Sequence, residues 1–279
     1  FNGGSSANYS GLIFPEDKAG FIVGYLGGYL TKTGKTAAIA GGPDSIPPVR
    51  KFIEGFVAGV EYASQEQGKS YPKASSVYYT GANAFNDPAW GASTAQQYLD
   101  QDVDVIFSAG GKTGNGGLAR VAQKSGAYCI GVDTDQWDTV PEAQACLVTS
   151  AMKLIPQGVV ALIGQVKDGT FAGGNFLGDV GAAPYHDFDS TIPADVKDKV
   201  AALTAKIISG YCSALIIRTF AQADVDQLGA YASIPVINAL TDVDHPTQLL
   251  ADWLTIRENF GTDISGRKLV YLGDGNNMS

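Results

Sequence analysis

The stretch VDVIFSAGGKTGNGGLARVAQKSGAYCIGVDTDQ, Val103 to Gln136, holds the pattern on which the fold turns. An apolar, β-rich run from Val103 to Ser108 ends in a glycine-rich loop, Ala109 to Gly117. A short helix from Leu118 to Lys124 leads to a second apolar run, Tyr128 to Val132, which ends in two aspartates. Strand, loop, helix and strand in that order make a βα unit of a mainly parallel sheet.

The rhythm continues outward on both sides. Upstream, Ala37 to Ala40 and Ser76 to Thr80 read as strands. The helix Val49 to Ser64 carries Phe52, Phe56, Val57 and Val60 on one face, and Ala89 to Asp100 carries Ala92, Ala95 and Leu99. These segments predict a doubly wound α/β lobe whose ligand site lies at the carboxyl ends of the strands, where the polar loops fall. Phe21 to Leu30 is an apolar helix in which Gly24, Gly27 and Gly28 permit close packing on a neighbour. Downstream, Cys146 to Ser150 reads as a strand, Leu154 to Lys167 as a helix with Pro156 tolerated near its start, and Pro193 to Ile208 as another helix beyond a loop-rich stretch. A new βα rhythm begins at Ser213, with strands at Ala214 to Arg218, Pro235 to Leu240 and Lys268 to Leu272 and helices at Ala223 to Ala232 and Pro246 to Phe260.

Composition narrows the function. With 279 residues, 45% hydrophobic and 17% charged, the chain has ample apolar material for a packed core. A net charge of −9 without a basic stripe argues against gripping nucleic acid. Cys129, Cys146 and Cys212 are odd in number and widely spaced, so they read as buried thiols and not as a disulfide framework or a CxxC site. Two histidines, His186 and His245, do not suggest a metal site, and no cofactor is expected. No apolar run reaches membrane-spanning length; the start at Phe1 suggests a processed leader or a fragment.

Several motifs invite chemistry. GKT occurs at Gly34 to Thr36 and at Gly111 to Thr113, but the glycine a phosphate loop needs five positions earlier is Tyr29 in one case and Ile106 in the other. Gly114, Gly116 and Ala119 fit a loose GxGxxA dinucleotide pattern with Asp133 beyond it, but on the third strand of the unit and not the first. A glycine-rich turn closing on a small ligand, with Gly111 in it, is the simpler reading. Asp133 and Asp135 can accept hydroxyl hydrogen bonds from a polyol such as a ribose, or can cap the turn that follows. Phe107, just before the loop, can stack on a flat ring or fill the core.

Residues 7 to about 212 resemble the basic membrane protein family of ABC-transporter substrate-binding lipoproteins, which includes purine-nucleoside receptors. The phrases that carry the resemblance are FPEDKAGFIVGYLGGYLTKTG (Phe14 to Gly34), AGGPDSIPPVRKFIEGFVAG (Ala40 to Gly59), VDVIFSAGGKTGNGG (Val103 to Gly117), IGVDTDQ, LVTSAMK (Leu147 to Lys153) and GAAPYHDFD (Gly181 to Asp189). The resemblance implies a lobe of the type I periplasmic-binding-protein kind, a nucleoside ligand and an ABC permease as partner, and an extracytoplasmic or membrane-anchored place. It also implies an aromatic at Phe107 stacking on the base, with Asp135 and Lys153 on the ribose. The family's opening lobe is expected to precede Phe1, so the clamp is expected to be impaired.

Residues 213 to 279 resemble an internal piece of ornithine carbamoyltransferase, through ALIIRTFAQ (Ala214 to Gln222), YASIPVINAL (Tyr231 to Leu240), DHPTQLLA (Asp244 to Ala251) and KLVYLGDGNNM (Lys268 to Met278). Arg218 at a strand end offers a fork for phosphate, and His245 and Gln248 at a helix start can bond a carbonyl oxygen. The resemblance implies that these three hold carbamoyl phosphate and that Asn277 touches ornithine. The SxRT phosphate loop and the HCLP loop do not occur, so the set reads as vestigial. The expected organisation is a lobe at 15–150, returning segments at 151–212 and a smaller, incomplete α/β domain at 213–279. Residues 1–14 and 173–212 are expected to pack with the last piece, and exposed strand edges to favour homo-oligomers. A carbamoyltransferase and a non-functional chimeric scaffold remain the alternatives to a binding protein.

Overall fold

A computed structural model of the chain describes residues 7–209, 215–218, 221–223, 225–226, 236–241, 243 and 246–260. In chain order these form β1 (Ser10–Ile13), α1 (Glu16–Leu30), β2 (Thr36–Ala40), α2 (Pro47–Glu66), β3 (Ser75–Tyr78), α3 (Pro88–Leu99), β4 (Val105–Ala109), α4 (Gly111–Val121) and β5 (Tyr128–Asp133). There follow α5 (Gln136–Thr139), β6 (Leu147–Lys153), α6 (Ile155–Lys167), β7 (Gly174–Leu177), β8 (Val180–Ala182), α7 (Ala194–Ser209), β9 (Leu215–Arg218), β10 (Val236–Leu240) and α8 (Pro246–Phe260).

The α/β lobe is built on a six-stranded sheet of order β3-β2-β4-β5-β6-β8, in which only β8 runs antiparallel. β3 lies on one side of β2 and every later strand on the other, so the winding reverses between β2 and β4. Ligands of open α/β sheets bind at the carboxyl end of such a switch point. The central strands β2 and β4 are buried along their whole length, as strands covered on both faces must be. On one side α1 packs on α2 so closely that a Cβ at Gly24 would strike the Phe56 carbonyl, and one at Gly59 the Phe21 carbonyl. This is the close approach that the glycines of α1 predict. On the other side Leu99, Leu118, Val121, Ile106 and Leu147 belong to one buried cluster.

Two expectations are corrected. The glycine-rich stretch is not a loop: α4 begins at Gly111, and Gly114 and Gly117 lie against Ser108 and Ala109 while Gly116 lies against Pro88. Its glycines bring a helix onto β4 and α3, and the GxGxxA pattern falls inside that helix. Cys129 and Cys146 are not free thiols but form a disulfide joining the starts of β5 and β6. Residues 10–13 and 174–177 pair with each other, as the parallel strands β1 and β7, inside the first of two compact units, residues 1–200 and 201–279.

In the second unit β9 and β10 form a parallel pair, and α8 has the bounds that the sequence predicts. The strand expected at Lys268 to Leu272 lies outside the described residues. Among the described residues no helix is long and apolar enough to cross a membrane.

Candidate ligand-binding pocket

A pocket of about 100 Å³ opens at the switch point of the sheet. Its floor is the carboxyl end of the strands: Ala109, Gly110 and Gly111 after β4, Val132 and Asp133 at the end of β5, and Lys153 at the end of β6. Its side is the first turns of α2, through Pro48, Val49 and Phe52, joined by Phe85 from the loop before α3. Gly110 has φ of 119°, a conformation that L side chains rarely adopt, and it turns the chain from β4 into α4 against the pocket.

Asp133 and Lys153 face one another across this floor. Their register partners on the sheet are Asp133 with Met152, so the two side chains project from adjacent strand ends. Lys153 Nζ lies 3.2 Å from Asp133 Oδ1, yet that oxygen, shielded from solvent, accepts no aligned hydrogen bond. Asp133 has φ of 68°, an uncommon conformation for a residue with a Cβ. On its far side Lys153 Nζ lies 3.6 Å from Glu16 Oε1, and it stands 5.1 Å from the centre of the Phe52 ring. An ammonium, a carboxylate and an aromatic ring therefore meet at one small opening, a set suited to a ligand with hydroxyls and a flat apolar part.

The sequence-predicted residues divide here. Asp133, Lys153 and Gly111 come together at the pocket. Phe107 does not: it is fully buried, with its ring stacked on Phe56 at 5.2 Å and tilted against Phe52 at 6.3 Å. β4, buried along its length, places it in the core, and the aromatic residues lining the opening are Phe85 and Phe52, the latter only 3% exposed. Asp135 is also occupied elsewhere. Its Oδ1 accepts from Trp137 N at 3.1 Å, capping α5, and its Oδ2 lies 2.8 Å from His186 Nε2. Sequence reasoning missed Phe52 and Phe85, which line the pocket, and Glu16, which stands behind Lys153. Glu16 shares the charged opening of α1 with Asp17 and Lys18, so nothing in sequence singles it out, and the two phenylalanines are indistinguishable in sequence from core.

The carbamoyl-phosphate set is not assembled in view. Arg218 ends β9 and Gln248 lies in the first turn of α8, but their side chains, together with His245 and Asn277, lie outside the described residues. Among the described residues no cluster of metal-binding side chains occurs.

The sequence pattern of the PnrA-like ABC transporter substrate-binding proteins matches residues 4–178, which include every residue of the pocket. The chain belongs to this family. A small-molecule ligand and a transporter are therefore the partners that the family implies. A second pattern, that of the carbamoyl-phosphate-binding domain of aspartate and ornithine carbamoyltransferases, matches residues 183–258. The solute-binding protein of an ABC transporter system from Aeropyrum pernix superimposes with a TM-score of 0.61 at 23% identity, covering 81% of this chain and 72% of that one. A second, from Conexibacter woesei, gives 0.56 at 22% identity, covering 74% and 65%. These neighbours establish the fold. The ornithine carbamoyltransferase of Oceanobacillus iheyensis is 60% identical over 76 residues, which are 27% of this chain and 23% of that protein. That of Gloeobacter violaceus is 57% identical over the same length, 24% of its own. This family member thus carries a carbamoyltransferase-like segment, and it spans about a quarter of the length of the curated relatives it matches.

Proposed function

We propose that the chain is an extracytoplasmic solute-binding protein that presents a nucleoside-type ligand to an ABC importer, with Asp133 and Lys153 bonding sugar hydroxyls and Phe52 flanking the ring. The observation that carries the reading is the Asp133–Lys153 pair, 3.2 Å apart and not aligned in a hydrogen bond, at the strand ends of the switch point. A carboxylate acceptor and an ammonium donor left free to turn toward a hydroxyl form the charge-assisted bonds that hold a neutral polyol. Every residue lining the pocket comes from this lobe: the strand ends, the first turns of α2, the start of α4 and the loop before α3. A ligand gripped from one side loses much of the desolvation that makes such sites tight, so weak binding is part of the proposal.

Calorimetric titration with inosine and guanosine tests the reading. Saturable heat is expected from the full chain, and Lys153→Met, which removes a charged hydrogen-bond donor, should weaken it at least about tenfold. No heat from either nucleoside, or heat indifferent to Lys153→Met, would count against it. The match at residues 183–258 keeps carbamoyl transfer as the second reading. Citrulline formed from carbamoyl phosphate and ornithine, and lost in Arg218→Ala, would establish that activity; silence in every assay would favour the scaffold.

A further inference from the structure

We infer that Glu16 determines the charge selectivity of the pocket, offsetting Lys153 from behind so that neutral ligands enter and anionic ones are kept out. The inference rests on the nucleoside reading above and adds to it a residue that does not line the opening. Glu16 is the first residue of α1 and is only 5% exposed. Its Oε1 lies 3.6 Å from Lys153 Nζ, and its Oε2 lies 3.9 Å from Nζ of Lys51, a half-exposed residue of α2.

Without this carboxylate the pocket has the makings of an anion site. It holds an ammonium, and Gly110 and Gly111 at the N-terminus of α4 line its wall. Backbone amides at such a terminus favour negative charge. Asp133 and Glu16 together set two negative charges on the one positive charge of Lys153. Lys51, on the other Glu16 oxygen, offsets part of this excess, and removing the Glu16 carboxylate would leave two ammonium groups against Asp133 alone. A phosphate brought to this floor meets an ammonium already neutralised, beside a carboxylate that repels it.

The test measures binding of inosine, inosine monophosphate and inorganic phosphate to the full chain, as wild type, Glu16→Gln and Glu16→Asp, with folding checked by thermal melting. Wild type should prefer inosine over its monophosphate by about tenfold or more, and Glu16→Gln should shrink that ratio by about tenfold while Glu16→Asp, which keeps the charge, preserves it. An unchanged ratio in Glu16→Gln, or equal losses for both ligands, would overturn the inference and leave Glu16 a structural residue. Should wild type bind no nucleoside, the nucleoside reading fails and the phosphate arm still decides this one. Phosphate bound by Glu16→Gln and not by wild type upholds it; phosphate bound alike by both, or by neither, refutes it. If Glu16→Gln does not fold, Glu16→Met replaces it at similar volume; failure of both to fold also refutes it.

Discussion

Nε2 of His186 lies 2.8 Å from Oδ2 of Asp135, and the imidazole stacks on the Trp137 ring with centroids 4.6 Å apart. The other Asp135 oxygen caps α5. One carboxylate thus ties the turn after β8 to the loop after β5.

Asp135 therefore acts on stability. Asp135→Ala removes a helix cap and a partly buried polar pair, so it should lower unfolding free energy by about 2 kcal/mol. Nucleoside affinity, measured below the shifted melting temperature, should stay within about threefold. Loss of affinity without loss of stability would return Asp135 to the pocket.

The two phenylalanines should part company in the same way. Phe107→Ala empties a fully buried site packed by Phe52 and Phe56, and should cost about 3–5 kcal/mol in denaturant unfolding. Phe52→Leu keeps apolar volume but loses the ring beside Lys153; it should weaken nucleoside binding several-fold at a cost of about 1 kcal/mol or less. The reverse pattern would place the ligand against Phe107.

The disulfide closes a loop of 17 residues between adjacent strands. Loop closure of that size corresponds to about 3 kcal/mol. Reduction, or Cys129→Ala with Cys146→Ala, should lower the melting temperature clearly, and thiol titration of the denatured chain should find two more thiols after reduction than before. An unchanged thiol count would rule the bond out.

Acid sensitivity should arise in part at the far end of α2. Tyr25 Oη donates to Glu66 Oε2 at 2.5 Å, and this bond, with Lys199 nearby, holds the Glu66 carboxyl below its ordinary range. A carboxyl whose value is depressed by folding stabilises the fold above its unfolded value of 4.5, and that contribution is lost as pH falls through the folded value. Because Glu66 is 36% exposed, solvent screening limits the effect to less than about 1 kcal/mol. Tyr25→Phe should flatten the stability profile below pH 4.5 while leaving its slope near neutrality alone.

How much of this was legible in sequence depended on the kind of signal. β-rich runs located β2 to β6, and a carboxylate at a strand end located Asp133, whereas Lys153 came only from the family resemblance. Glycine misled in α4: Gly114, Gly116 and Gly117 look like a ligand loop in sequence, but their missing Cβ atoms are used for helix packing. Phe107 sits on a strand buried on both faces, which carries no alternation to show which way its ring points, and Phe52 sits on the apolar face of α2, where it reads as core. The disulfide was hidden because an odd number of cysteines encodes no pairing; only the sheet brings Cys129 beside Cys146.

The most direct test of the account is an inosine titration of the isotopically labelled full chain, followed by backbone amide NMR. Saturable shifts centred on Gly110, Gly111, Val132 and Asp133 are expected, with the midpoint raised at least about tenfold by Lys153→Met. Shifts confined to residues beyond 213, or none at millimolar inosine, would contradict it.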